Sequence, residues 1–219
     1  MNNFDFDIVI SRLPILLNAT LKTIELTLMA IFLGTMIGLF VALIKISQKK
    51  PLVLIGTMYT WIFRGMPLLV QLFIIYYGLP SIGIEFTAHQ AAVMGLSLCG
   101  GAYIAEIIRA GIQSIDKGQM EAAYSLGMSW QQAMFRVIIP QSFKRLIPPM
   151  GNEFITLLKD TSLVAVISMV ELLRAAQTQA SATFKPFEMY MTAGVIYLLL
   201  TTIFTIIFKK IEERLALSE

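Results

Sequence analysis

The chain has 219 residues, of which 57% are apolar and 14% charged, with a net charge of +3 and a mean hydropathy of +0.74; water-soluble domains run about 45–50% apolar and about 25% charged. That balance excludes an ordinary soluble domain and describes an all-α integral membrane protein, because lipid offers no partner for open backbone groups and no barrel-like alternation is visible. One cysteine (Cys99) permits no internal disulfide, and one histidine (His89) excludes a His-pair zinc site.

The first ten residues, MNNFDFDIVI, carry two aspartates and no basic residue, unlike a secretory leader. A spanning helix needs about 20 largely apolar residues. Runs of that kind occupy 14–46, 57–79, 88–112, 146–169 (interrupted by charge) and 190–208, which predicts about five transmembrane helices. The first run is over-long, so its amphipathic start around Arg12 and Lys22 is expected at the interface. Gly95, Gly100 and Gly101 lie inside the third run, where small residues permit close helix packing.

Five spans put the termini on opposite faces, and the basic residues choose which. With the N-terminus outside, the inner face receives Lys45, Lys49, Lys50, Arg109, Lys117, Arg136, Lys144, Arg145, Lys209, Lys210 and Arg214. The outer face receives only Arg12, Lys22, Arg174 and Lys185, so the positive-inside rule predicts N-out and C-in. Sorting along the chain in this way marks membrane topology, and a net charge this small does not suit nucleic acid.

The one sizeable polar stretch on the inner face runs from Gln113 to Arg145. Gln119–Leu126 has helix-forming residues, Gly127 breaks it, Ser129 can cap a second short helix to Val137, and Pro140 is expected to stop that helix. Two short helices under the membrane suit a groove on a partner protein; an amphipathic connector on lipid headgroups has the same shape.

The motif in this loop decides between them. Glu121-Ala122-Ala123, three residues, Gly127, nine residues, then Val137-x-Ile139-Pro140 resembles the EAA loop of ABC importer permeases, with Val and Ile where Ile and Leu are usual. The blocks FRGMPLLVQ (63–71), GAYIAE (101–106) and KDTSL (159–163) are similar to those of the polar amino acid uptake permeases, the histidine, glutamine, arginine and cystine subunits. Met66 stands where Thr is commoner. IYYGLPSIGIEF (75–86) and SIDKGQMEAA (114–123) look most like the L-cystine branch.

The resemblance covers about residues 12–214. It implies that residues 1–219 form a single transmembrane domain of a type I importer in the bacterial inner (plasma) membrane. It also implies that the loop at about 113–140, through Glu121, Ala122, Ala123, Gly127 and Pro140, is the cytoplasmic coupling helix seated in an ATPase cleft. Two copies of that ATP-binding subunit, a second permease subunit and an extracytoplasmic substrate-binding protein are the implied partners, besides lipid. No G-x-x-x-x-G-K-[ST] motif occurs in the chain; cofactors are expected to be none here, with ATP and Mg²⁺ on the partner. An ion-coupled secondary carrier is the competing reading, against which stand the short chain and the lack of a visible paired repeat.

Ionisable groups at membrane depth face protein or water. Glu153 and Asp160 are seven residues apart, two helical turns and about 10 Å of rise on one face. Asp160, or Glu153, could take an amino acid's ammonium and a basic side chain its carboxylate; alternatively Asp160 pairs with a neighbouring basic residue such as Lys159 and Glu153 stays near the inner interface. Arg64, beside the helix-interrupting Gly65 and Pro67, either binds a substrate carboxylate or caps the span. Gln71 lies two turns beyond Arg64 as a neutral hydrogen-bonder. Thr161 and Ser162 follow Asp160, either as a helix break with a folded-over gate or as the plain end of the fourth span. Glu106 and Arg109, at i and i+3, are expected to form a local ion pair. The resemblance implies a polar amino acid as substrate, L-cystine ahead of a cationic one; Glu153 with Asp160 would suit arginine, lysine or histidine.

Overall fold

A computed structural model describes residues 4–47 and 49–216 and contains no strand among them. Among the described residues nine α-helices follow in order: α1 Phe6–Lys45, α2 Lys50–Gly65, α3 Leu68–Phe73, α4 Ala88–Gln113, α5 Lys117–Ser125, α6 Trp130–Ala133, α7 Ile139–Asp160, α8 Leu172–Thr183 and α9 Pro186–Ala216. Of the five predicted spans, α1, α4 and α9 are single helices long and apolar enough to cross a bilayer. The second is a bent pair, turning by 99° between α2 and the Leu68–Ile82 segment. The fourth, α7, carries Lys144, Arg145, Glu153, Lys159 and Asp160 and falls short in apolar character.

The centre of the molecule is the crossing of α1 on α4, with α2, α7 and α8 packed around this pair and α9 against α7 and α8. Small residues bring the two long helices together. On Gly34 an added Cβ would lie 3.2 Å from the Gly101 nitrogen, and on Gly38 it would lie 2.7 Å from Ile104 Cγ2 and 3.0 Å from the Ala105 nitrogen. Gly34-x-x-x-Gly38 is thus the small-residue seam of α1, and it receives Gly101, Ile104 and Ala105 of α4. Gly38→Val is expected to lose about 2–3 kcal/mol of stability by overpacking, read as a fall in thermal unfolding temperature in detergent; an unchanged temperature would mean the helices separate without cost.

The bend after α2 has a local cause. Pro67 offers no N–H and drives Met66 into extended backbone (φ −102°, ψ 132°). The freed carbonyls of Phe63 and Met66 accept hydrogen bonds from Gln71 Nε2, both 2.9 Å.

The loop beyond α4 keeps the expected two short helices but not the expected stop. Gly127 takes a left-handed conformation (φ 78°), which glycine adopts without a Cβ penalty, and Ser129 with Gln132 forms a capping box at the start of α6. Pro140 does not end the helix. A π turn over Met134–Ile138 carries α6 into α7, and the Ile139 amide bonds back to Met134. Proline sits at the first turn after that register change, where its missing donor costs little.

At the opposite end of α7 the helix tightens into a 3₁₀ segment, Thr161–Ile167, and Ser168 turns left-handed (φ 62°). Glu171 then caps α8, accepting from the amides of Leu173 (2.8 Å) and Arg174 (2.7 Å). Asp5 caps α1 through the Ile8 amide and lies 3.4 Å from Lys185. The Ile8 amide, helped by Lys185, holds the Asp5 carboxyl below its ordinary range, so this tie is present at neutral pH and is lost as the pH falls through that lowered value.

Candidate functional site

The apolar side of α7 fixes where its polar side points. Gly151, Phe154, Leu157 and Leu158 are buried, with Phe154 against Phe204 and Phe208 of α9 (ring centroids 4.6 and 5.4 Å) and Leu157 against Gly100 of α4. Glu153, Thr156 and Asp160, spaced i, i+3, i+7, are therefore turned the other way. They line a cavity of about 590 Å³, closed by the α2–α3 bend (Arg64 to Leu68) and by Cys99, Gly100 and Tyr103 of α4.

Neither Glu153 nor Asp160 has a hydrogen-bond or ion-pair partner among the described residues; in particular, no ion pair forms between Asp160 and Lys159. The cavity thus holds two carboxyl groups without a hydrogen-bond or ion-pair partner among the described residues and one guanidinium, Arg64. The structure brings together Arg64, Glu153 and Asp160 from three distant parts of the sequence.

The remaining expected site residues lie elsewhere. Gln71 is buried beneath the bend and is spent on the freed carbonyls of Phe63 and Met66. Thr161 is fully buried and its hydroxyl donates to the Leu158 carbonyl (2.6 Å). Ser162 donates to the Lys159 carbonyl (2.7 Å). None of the three lines the cavity; the two hydroxyls serve the end of α7, as the short 3₁₀ segment requires.

Glu106 does pair with Arg109, at 2.7 Å, and also gathers two cations that sequence spacing could not bring to it. Lys45 of α1 donates to Glu106 Oε1 and to Thr60 Oγ1, and Arg64 stands 3.9 Å from the same oxygen. Arg64 also lies over the Tyr103 ring, 5.2 Å from its centroid. In the sequence Tyr103 stood out only as part of the GAYIAE block (101–106). Lys45 had no signal in sequence, since the pairing spans 61 residues.

In the 113–140 loop, Ala123 is buried while Glu121, Ala122, Gly127 and Pro140 are exposed. Ile115, Met120, Met134, Val137 and Ile138 anchor the loop on the ends of α1 and α4. Arg145 donates to the Ser114 carbonyl and Gln141 to Gln119 (3.0 Å), tying the loop's two ends together. What remains outward carries large apolar groups, Leu126 at 78% exposure and Phe135 at 65%, more than a solvated connector needs.

With that geometry in place, known proteins supply a comparison. A family described as "binding-protein-dependent transport system inner membrane component" matches residues 34–217. The arginine transport system permease protein of Bacillus subtilis (strain 168) is 40% identical over 214 residues, 97% of this chain and 98% of that protein. The L-cystine transport system permease protein of the same organism is 41% identical over 203 residues, 92% and 87% of the two chains. Among solved structures, one of an amino acid ABC transporter with histidines superposes with a TM-score of 0.93 at 42% identity, covering 98% of this chain and all of that one.

Proposed function

Because the chain belongs to the binding-protein-dependent transport system inner membrane component family, we propose that it is the permease subunit of an amino acid importer and that its own cavity carries a cationic amino acid across the membrane. ATP is hydrolysed on a separate subunit, where ATP and Mg²⁺ bind; this chain supplies the path. The proposed assembly pairs two permease subunits with two ATPases and receives ligand from an extracytoplasmic binding protein, in the plasma membrane of a bacterium. Five spans, the N-terminus outside and the C-terminus inside complete the proposal, with α7 as the fourth span, its polar side turned to the cavity instead of lipid.

The charge count in the cavity carries the choice of substrate. Two unpaired carboxylates and one guanidinium complement a ligand with two cationic groups and one carboxylate, such as arginine, lysine or histidinium. Asp160 and Glu153 would each take a cationic group, about 10 Å apart along α7, and Arg64 the ligand's carboxylate in a paired hydrogen-bond geometry. A cavity of about 590 Å³ is within the range for small-ligand sites. The stretch that most resembles the L-cystine branch, 75–86, contributes no residue to this cavity. Cystine, with two ammonium and two carboxylate groups, would need a second cation that the cavity wall lacks.

The deciding experiment reconstitutes the permease with its ATPase and binding protein in proteoliposomes and compares ATP-dependent uptake of labelled arginine and cystine. Arginine uptake that excess cystine does not reduce is the expected result. Cystine uptake without arginine uptake would overturn the substrate choice, and uptake that follows an ion gradient without ATP would overturn the importer.

The exposed face of the 113–140 loop is the proposed seat in the ATPase, with Glu121 at its rim and the Gly127 turn setting the angle between its helices. Glu121→Ala and Gly127→Ala are expected to abolish ligand-stimulated ATP hydrolysis while changing stability by at most about 2 kcal/mol, the upper cost of a left-handed Ala. Full stimulation in both variants would remove the loop from the coupling path.

A further inference from the structure

A second cavity, of about 550 Å³, lies on the loop side of the first and is lined by Glu106, Ser114, Arg145 and Pro149 among others. The two cavities share two wall residues, Arg64 and Tyr103. We propose that Tyr103 and Glu106 are positioning residues that hold the Arg64 side chain as an inner gate, a partition between the carboxylate-lined cavity and the loop-side cavity. The inference deepens the transport reading above in its purpose, but its geometry stands independently of which amino acid moves.

Three observations carry it. Arg64 is the last side chain before the α2–α3 break, so its backbone anchor sits at a hinge where the chain turns by 99°. The guanidinium lies on the Tyr103 ring, an attraction that needs only the aromatic face. Glu106 is already engaged by Lys45 and by Arg109, and Arg64 reaches it only at 3.9 Å, with 44% of its side chain exposed. The third cation on one carboxylate is the loosest of the three. It is held well enough to have a place and weakly enough to leave it when a competing carboxylate arrives in the first cavity.

The test reads the partition directly. In a Cys99→Ala background, Thr156→Cys puts a single thiol on the wall of the first cavity, and a membrane-impermeant thiosulfonate is added to sealed vesicles with the Gln113–Pro140 loop outermost, using the permease–ATPase complex. Tyr103→Ala is expected to raise the labelling rate at position 156 about tenfold, and Tyr103→Phe to leave it within twofold, because the ring is kept. Tyr103 is 39% exposed, so its truncation leaves the fold intact. Glu106→Gln is expected to raise the rate in the same direction, provided the variant is recovered folded. A rise of less than threefold in Tyr103→Ala, or an equal rise in Tyr103→Phe, would overturn the gate. Since the readout needs no transported ligand, a parent complex that takes up no arginine while the Tyr103 variants label as expected would count against the amino acid site alone.

Discussion

Asp160→Asn is expected to lower ATP-driven uptake of a cationic amino acid by about 100-fold, close to 3 kcal/mol, the scale for removing one partner of a desolvated charge pair. The variant should fold as well as the parent. Asp160 makes no hydrogen bond or ion pair among the described residues, so its charge serves no contact in the structure. Neutralising an uncompensated charge relieves desolvation and removes nothing from the packing of α7, which rests on Gly151, Phe154, Leu157 and Leu158. Glu153→Gln should behave in the same way with a smaller loss for a short ligand and a larger one for a long one, since Glu153 lies two turns away. Wild-type uptake in both variants, with the proteins confirmed folded, would clear the carboxylates of any ligand role.

The opposite pattern is expected at Glu171, where the carboxylate is spoken for. Its side chain is fully buried and accepts from the amides of Leu173 and Arg174 and from Tyr197 Oη at 2.7 Å. One residue on, the Leu172 amide donates to Thr23 Oγ1 of α1 at 3.2 Å. This corner binds α1, α8 and α9 together. Glu171→Ala leaves two amides and a phenol without an acceptor and is expected to cost about 3–5 kcal/mol, enough to consume much of a membrane domain's margin. Tyr197→Phe removes one donor and should cost about 1–2 kcal/mol. Thermal unfolding of the purified chain in detergent measures both; a Glu171→Ala protein as stable as the parent would show that water replaces the lost acceptor.

These three acidic residues mark what sequence could and could not reveal. Glu153 and Asp160 were legible because helical periodicity alone puts them on one face, and a charge at membrane depth is expensive enough to demand a reason. The break at Pro67 was legible for the same kind of reason, as proline chemistry is local. Glu171 carried no such signal, because Tyr197 reaches it from 26 residues further along the chain and Thr23 meets the neighbouring Leu172 amide from 149 residues before it. Thr161 and Ser162 read as site residues because they follow Asp160, whereas in the structure both hydroxyls donate to carbonyls at the end of α7. Pro140 read as a helix stop, whereas the π turn before it removed the clash that would have stopped the helix.

The partition residues show the same divide. Arg64 was singled out beside Gly65 and Pro67, but Tyr103 drew attention only as part of a family block. The Lys45–Glu106 contact depends on the tight α1–α4 crossing that Gly34 and Gly38 allow. A five-residue glycine spacing inside an apolar helix was the available signal for that crossing, and through it for the whole charge cluster.

The proposed role of this chain's own cavity is to bind the transported amino acid through Glu153 and Asp160. Equilibrium binding of labelled arginine to the purified permease–ATPase complex, with the binding protein left out, tests it most directly. Saturable binding that disappears in the Glu153→Gln, Asp160→Asn double variant is the predicted result. Binding that persists undiminished when both carboxylates are neutral would contradict the account.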